Sequence, residues 1–262
     1  MQRSVRTPYD RVVMVVPVTI PYVRYSIESA QWWIGRALKS LVDGAGITPR
    51  DIDGFCVSSF TAGLDSGISL TQHFGLCVRW IDTIPLGGAS AIAAIASAPK
   101  PVIAAVNGAA AGGGASLALA CDIRVASDRA SIGQLFNRIG LHPDLGSTFF
   151  LPRLVGLGKA LELVFTGDMI DAAEGHRLGL FNRIVAADTL MNETRALAER
   201  LVDKPPLAIA RAKKTLYQGS QPSLDDMLAI EVENQVALFS THDAREGIEA
   251  FAEKRPPHFR GV

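Results

Sequence analysis

Between Pro101 and Cys121 the chain runs about twenty residues without a charged side chain, enough for a helix to cross a bilayer. The same stretch contains Asn107 and four glycines, Gly108, Gly112, Gly113 and Gly114, and Asp122 and Arg124 follow at once. A span carrying GxxxG would tolerate the glycines. A buried strand, a glycine turn and a buried helix account for every letter, the polar one included. Such a segment needs apolar material on all sides, so the fold must offer a large interior.

Composition supplies that interior. Of 262 residues 48% are hydrophobic and 20% charged, which excludes a disordered chain. The length suits one large α/β domain or two modest ones. Lys+Arg and Asp+Glu both number 26, and the missing basic excess argues against a nucleic-acid partner. Cys56, Cys77 and Cys121 are too scattered for a disulfide framework or a C-x-x-C metal pair, so no metal is expected and a reducing cytoplasm is. Three arginines precede the apolar run Val12–Ile20, as in a signal peptide, but Pro17 and Thr19 interrupt it and no small-residue cleavage site follows. That run reads as a buried first strand, in a protein that neither spans nor lies on a membrane.

Periodicity then organises the chain. Strands are expected at Val12–Val18, Phe55–Phe60, Pro101–Val106, Ile123–Ala126 and Leu180–Val185. Val78–Ile84 is ambiguous. Helices are expected at Ser26–Val42, Ser66–Phe74, Gly112–Ala120, Thr148–Leu154 and Lys159–Phe165, with a short turn opened by Thr48-Pro49. Asp171 with Glu174, and Ser223 with Asp226, have the spacing of helix N-terminal caps. Four more helices, Leu190–Leu201, Leu207–Tyr217, Leu224–Phe239 and Ala244–Lys254, give a helical C-terminal third, and Pro256-Pro257 stops the last. The class is α/β.

The run Asn107-Gly108-Ala109-Ala110-Ala111-Gly112-Gly113-Gly114 joins a strand to a helix. Adjacent glycines allow close approach of a ligand to the backbone. The first N–H groups of the following helix lack intrahelical partners and favour negative charge. A phosphate or a thioester oxyanion would fit there. Neither G-x-G-x-x-G nor a Walker A register is present. Close helix–strand packing explains the glycines as well.

Pro99-Lys100-Pro101-Val102-Ile103-Ala104-Ala105-Val106-Asn107-Gly108, the glycine run and Leu117-Ala118-Leu119-Ala120-Cys121-Asp122 resemble the crotonase, or enoyl-CoA hydratase/isomerase, superfamily. The likeness continues through Gly140-Leu141-His142-Pro143-Asp144-Leu145, Leu151-Pro152-Arg153-Leu154-Val155-Gly156, Phe165-Thr166-Gly167 and Phe251-Ala252-Glu253-Lys254-Arg255-Pro256-Pro257. It covers residues 97–262 and implies a ββα spiral core with a C-terminal helical trimerisation region. It also implies acyl-CoA thioester substrates, with coenzyme A as part of the substrate and no separate cofactor. The thioester oxygen would be held by two backbone N–H groups, one from Gly113.

Hydratases of that family carry two water-activating glutamates, and the matching positions here hold Ser116 and Phe136. Neither is a general base. Asp144 remains, placed like the single aspartate of the family's isomerase branch. One carboxylate suffices for a 1,3-proton shift from C2 to C4 of a 3-enoyl thioester. The alternative for Asp144 is a turn aspartate bonding its own backbone. Ser116 and Phe136 would line the substrate site, Phe136 as an apolar wall; a helix-facing packing serine explains Ser116 as well. His142 reads as a loop histidine.

The second N–H donor would come from Ser59-Phe60-Thr61-Ala62-Gly63-Leu64-Asp65, through Leu64, with Ala62 and Gly112 among the substrate-binding residues. Residues 23–90 also resemble the N-terminal part of thiolase-like proteins, through Ala45-Gly46-Ile47-Thr48-Pro49, Asp51-Ile52-Asp53-Gly54, Arg79-Trp80-Ile81-Asp82 and Pro85-Leu86-Gly87-Gly88-Ala89-Ser90. Thiolysis needs a nucleophilic cysteine where Ser90 stands, so that chemistry is excluded on ingredients. A seam is expected near Ile92–Lys100. The expected division is a segment 1–95, a crotonase-like core 96–200 and a helical region 201–262. By the resemblance, subunits would form trimers or hexamers, with Phe251 and Lys254 near the adenine end of a neighbour's CoA. The expected activity is enoyl-CoA isomerisation with Asp144 as acid and base. The alternatives are hydration and an inactive acyl-CoA-binding subunit.

Overall fold

The computed structural model describes residues 13–15, 30–45, 48, 54–58, 80–84, 88–219 and 222–262. The Ser66–Phe74 helix, the turn after Thr48-Pro49, and Ala62 and Leu64 lie outside them. The chain forms two compact units. One comprises residues 15–96 and 104–190, the other residues 1–14, 97–103 and 191–262.

The first unit holds all or part of these elements: β1 (Val13–Val15), α1 (Ala30–Ala45), β2 (Gly54–Ser58), β3 (Trp80–Ile84) and α2 (Gly88–Ser97) precede β4 (Val102–Val106). The ambiguous Val78–Ile84 resolves as β3, parallel to β2 in the register Gly54↔Trp80 to Ser58↔Ile84. All five residues of β4 are buried, as expected for a strand covered on both faces, whose letters show no alternation. After β4 come β5 (Ala109–Ala111), α3 (Gly113–Ala120), β6 (Ile123–Ser127), β7 (Ser131–Gly133) and a 3-10 turn at Leu135–Ile139. Next are α4 (Ser147–Val155), α5 (Leu157–Thr166), β8 (Ile170–Asp171), α6 (Ala172–Arg177) and β9 (Arg183–Val185). One sheet runs β1-β4-β6-β9 and another β5-β7-β8, with β5 parallel and β8 antiparallel to β7.

Three elements differ from expectation, two of them for local reasons. The glycine turn contains a strand, β5, whose alanines carry little β propensity and so conceal it. β9 starts at Arg183 rather than Leu180, because the Leu180 and Phe181 N–H groups donate to the Gly175 carbonyl at the end of α6. α1 continues through Gly44 to Ala45. The Asp171 cap forms as expected, its carboxylate accepting the Glu174 N–H at 2.8 Å.

The interior of this unit gathers Val106, Leu119, Val125, Ile132, Leu151, Leu180 and Phe181, all below a tenth exposed. Arg124 is buried with them, its guanidinium bonded to backbone carbonyls. Its Nε donates to the Leu180 carbonyl and its Nη1 to that of Cys121, both at 2.6 Å. Gly175 is where Phe181 passes, since a β-carbon there would stand 2.7 Å from the ring.

The second unit is helical: α7 (Leu190–Val202), α8 (Pro206–Gln218), α9 (Leu224–Phe239) and α10 (His242–Glu253). Ser223 and Asp226 form a reciprocal capping box, as the spacing predicts. Asp243, buried on α10, accepts the Arg260 and Gly261 N–H groups at 2.6 and 2.8 Å and so binds the C-terminal tail. Among the described residues, no helix is long and apolar enough to cross a membrane.

Candidate active site

The glycine turn and the Asp144 loop meet in the first unit. β5 delivers the chain to Gly112, whose backbone (φ 51, ψ −116) only glycine adopts readily. The Gly112 N–H donates to the Gly133 carbonyl at 2.9 Å, anchoring the turn to the end of β7. Gly113 is the first residue of α3, so its N–H has no intrahelical acceptor, and none among the described residues takes it. The α3 dipole adds positive potential at this point. A thioester oxygen gaining charge is the kind of group such a donor stabilises.

Two apolar side chains close over the glycines. The Phe136 ring, carried on the 3-10 turn after β7, lies 3.7–4.0 Å from where a Gly112 β-carbon would be. The Leu145 δ1 methyl takes the corresponding place over Gly113, at 3.1 Å. Leu145 has a left-handed backbone, φ 54, unusual for a leucine. That reversal aims its side chain back at the turn.

Asp144 is held by its main chain. Its carbonyl accepts the Ser147 N–H at 3.1 Å, the Ser147 hydroxyl at 2.9 Å and the Ser116 hydroxyl at 3.1 Å. The residue is exposed, and among the described residues nothing donates to its carboxylate or pairs with it. The self-bonded turn aspartate would spend its carboxylate on a backbone N–H. Here the carbonyl does that work, leaving the acid group available.

The remaining expected residues are placed as follows. Ser116 is completely buried on α3, with the single proton of its hydroxyl shared between the Gly112 and Asp144 carbonyls, each at 3.1 Å. Phe251, 87% exposed on α10, and Lys254, the left-handed residue that ends α10, belong to the second unit. His142 is exposed in the loop before Asp144. Gly112, Gly113, Ser116, Phe136 and Asp144 thus form one cluster.

Leu145 and Ser147 belong to the same cluster and are not expected from sequence. A leucine in the left-handed region has no letter-level signal. Ser147 is masked by its position at the start of a helix, where serine has ordinary reasons to stand.

The enoyl-CoA hydratase/isomerase family model matches residues 54–262, starting upstream of the seam expected near Ile92–Lys100. The "Probable enoyl-CoA hydratase" of Rhodobacter capsulatus is 46% identical over 168 residues, 64% of this chain and 65% of that protein. The chain thus spans just under two thirds of that relative's length. The crotonyl-CoA hydratase of Syntrophomonas wolfei is 41% identical over 224 residues, covering 85% of this chain and 84% of the relative. The 1,2-epoxyphenylacetyl-CoA isomerase of Escherichia coli is 37% identical over 84% of this chain and 80% of its own. Among solved structures, an enoyl-CoA hydratase from Bacillus anthracis aligns with TM-score 0.65 at 37% identity, over 67% of this chain and 68% of that one. With the family model matching well over half of its residues, the chain belongs to the enoyl-CoA hydratase/isomerase family.

Proposed function

We propose that the protein isomerises 3-enoyl-CoA to 2-enoyl-CoA thioesters. Asp144 takes a proton from C2, the thioester oxygen carries the resulting dienolate charge, and the same carboxyl returns the proton at C4. The Gly113 N–H stabilises that oxygen together with the N–H of Leu64. Ala62, Gly112 and Phe136 line the substrate site, and Phe251 and Lys254 take the adenine end of a neighbouring subunit's CoA. The CoA moiety is part of the substrate, and no separate cofactor takes part. The observation that supports the reading is that, among the described residues, nothing takes the Asp144 carboxylate or the Gly113 N–H, while the Asp144 carbonyl is tied to Ser116 on the helix that Gly113 begins.

Ser116 and Phe136 leave the cluster without a second base, which weighs against activating a water. Hydration is the second reading, favoured by the names of the relatives from R. capsulatus and S. wolfei. We further infer a cytoplasmic homotrimer or hexamer. Leu224, Leu228, Val232, Val236 and Phe239 lie on α9, all at least 48% exposed, and offer apolar surface for subunit contact.

The test is a pair of assays on one preparation. Formation of conjugated 2-enoyl-CoA from a 3-enoyl-CoA is expected, with negligible water addition to a 2-enoyl-CoA. Efficient hydration would reverse the assignment. Tight CoA-ester binding without turnover would instead mark a binding subunit.

A further inference from the structure

Ser116 is fully buried on α3, yet its hydroxyl reaches two carbonyl oxygens. One is that of Gly112, four residues back, at 3.1 Å. The other is that of Asp144, 28 residues ahead, also at 3.1 Å. A serine inside a helix commonly bonds the carbonyl one turn back, and that contact alone would say nothing about chemistry. The second acceptor lies on another segment, on the residue proposed as acid and base.

We infer that Ser116 is a positioning residue for Asp144, fixing the aspartate peptide against the glycine turn rather than touching substrate. The inference rests on Asp144 being the acid/base of the proposed isomerisation. Three donors converge on the one Asp144 carbonyl, from Ser116 and from the hydroxyl and N–H of Ser147. The next residue, Leu145, is turned into the left-handed region and lodged over Gly113. Rotation of the Asp144 peptide would break this whole set. The main chain is fixed and only the side-chain torsions remain free, which suits a carboxyl that must reach C2 and then C4. Ser116, with no exposed surface, is poorly placed to meet a substrate itself. Proton transfer falls off steeply with misplacement of the base, so the tether acts on turnover rather than on binding.

The experiment is a double-variant cycle on the full chain, with 3-enoyl-CoA isomerisation as readout and circular dichroism to verify folding. Ser116→Ala is expected to lower kcat by about tenfold while KM stays within about twofold. In an Asp144→Asn background, Ser116→Ala is expected to cause no further loss, because its effect passes through the carboxylate. Ser147→Ala, which removes another donor to the same carbonyl, should behave alike and carries the test if Ser116→Ala does not fold. A loss confined to KM, or a full loss persisting beside Asp144→Asn, overturns the inference while leaving Asp144 as the base. Undiminished activity of Asp144→Asn alone would instead remove the acid/base reading on which it rests.

Discussion

The Leu145 δ1 methyl lies 3.1 Å from the point a β-carbon on Gly113 would occupy. A β-carbon on residue 113 would therefore crowd that methyl, which would have to give by a few tenths of an ångström. Gly113→Ala is expected to push Leu145 aside and disturb the N–H donor, lowering kcat/KM roughly tenfold or more. Alanine is a better helix former than glycine, by about 0.5–1 kcal/mol, so the unfolding midpoint should barely fall. Adding Leu145→Ala should recover part of the activity, and steady-state kinetics on the three variants checks it.

Gly112 differs from its neighbour in what a side chain would cost. A β-carbon there would make only ordinary contact with the Phe136 ring, but the backbone, at φ 51 and ψ −116, is one other residues avoid. Gly112→Ala should destabilise the fold by about 1–3 kcal/mol through strain. Phe136→Ala should not relieve it. Urea unfolding of the single and double variants distinguishes backbone strain from collision.

Asp144 offers a cleaner separation of chemistry from stability. Its carbonyl carries three hydrogen bonds and its carboxylate none among the described residues. Asp144→Asn keeps the former and removes the base. We expect kcat for isomerisation to fall by roughly 10²–10⁴ with an unchanged melting temperature. A large drop in stability would mean the carboxylate holds the loop together after all.

A pH effect is expected at the C-terminal tail. The Arg255 guanidinium, donating to Glu246 at 2.6 and 3.0 Å, and the His258 N–H hold the Glu246 carboxyl down to about 2, from an ordinary 4.5. A depressed folded-state value means that the stabilisation is complete above the unfolded value and is lost as pH falls through the folded one. The tail should therefore stay docked above about pH 4.5 and loosen progressively towards pH 2. Glu246→Gln should remove the part of that dependence that passes through Arg255 and His258, while the Asp243 contacts to the Arg260 and Gly261 N–H groups stay. Protease sensitivity of residues 255–262 against pH reads the change.

Much of this was legible in the letters. Capping signals placed α6 and α9, and the charge-free stretch gave β4 and α3 within a residue. Gly112, Gly113, Ser116, Phe136 and Asp144 were marked by spaced motifs, and they do cluster. The geometry that connects them was not readable. Leu145 reverses the chain by tertiary demand, against its own preference, and the hydroxyl of a helical serine carries no mark of where it points. β5 escaped because alanine is the residue that says least about a strand, and β7 and β8 are only three and two residues long. Whether Leu64 completes the pair with Gly113 concerns a residue outside the described ones.

The Gly112 N–H bond to the Gly133 carbonyl has a consequence for behaviour under heat. The turn hangs on the end of β5-β7, a pairing of three residues per strand, so its geometry depends on one of the shortest elements of the fold. Short pairings fray before the interior melts. Thermal inactivation should therefore set in below the temperature at which circular dichroism reports unfolding, and be reversible on cooling. An acyl-CoA ester bound at the turn should close that gap, raising the inactivation temperature more than the melting temperature.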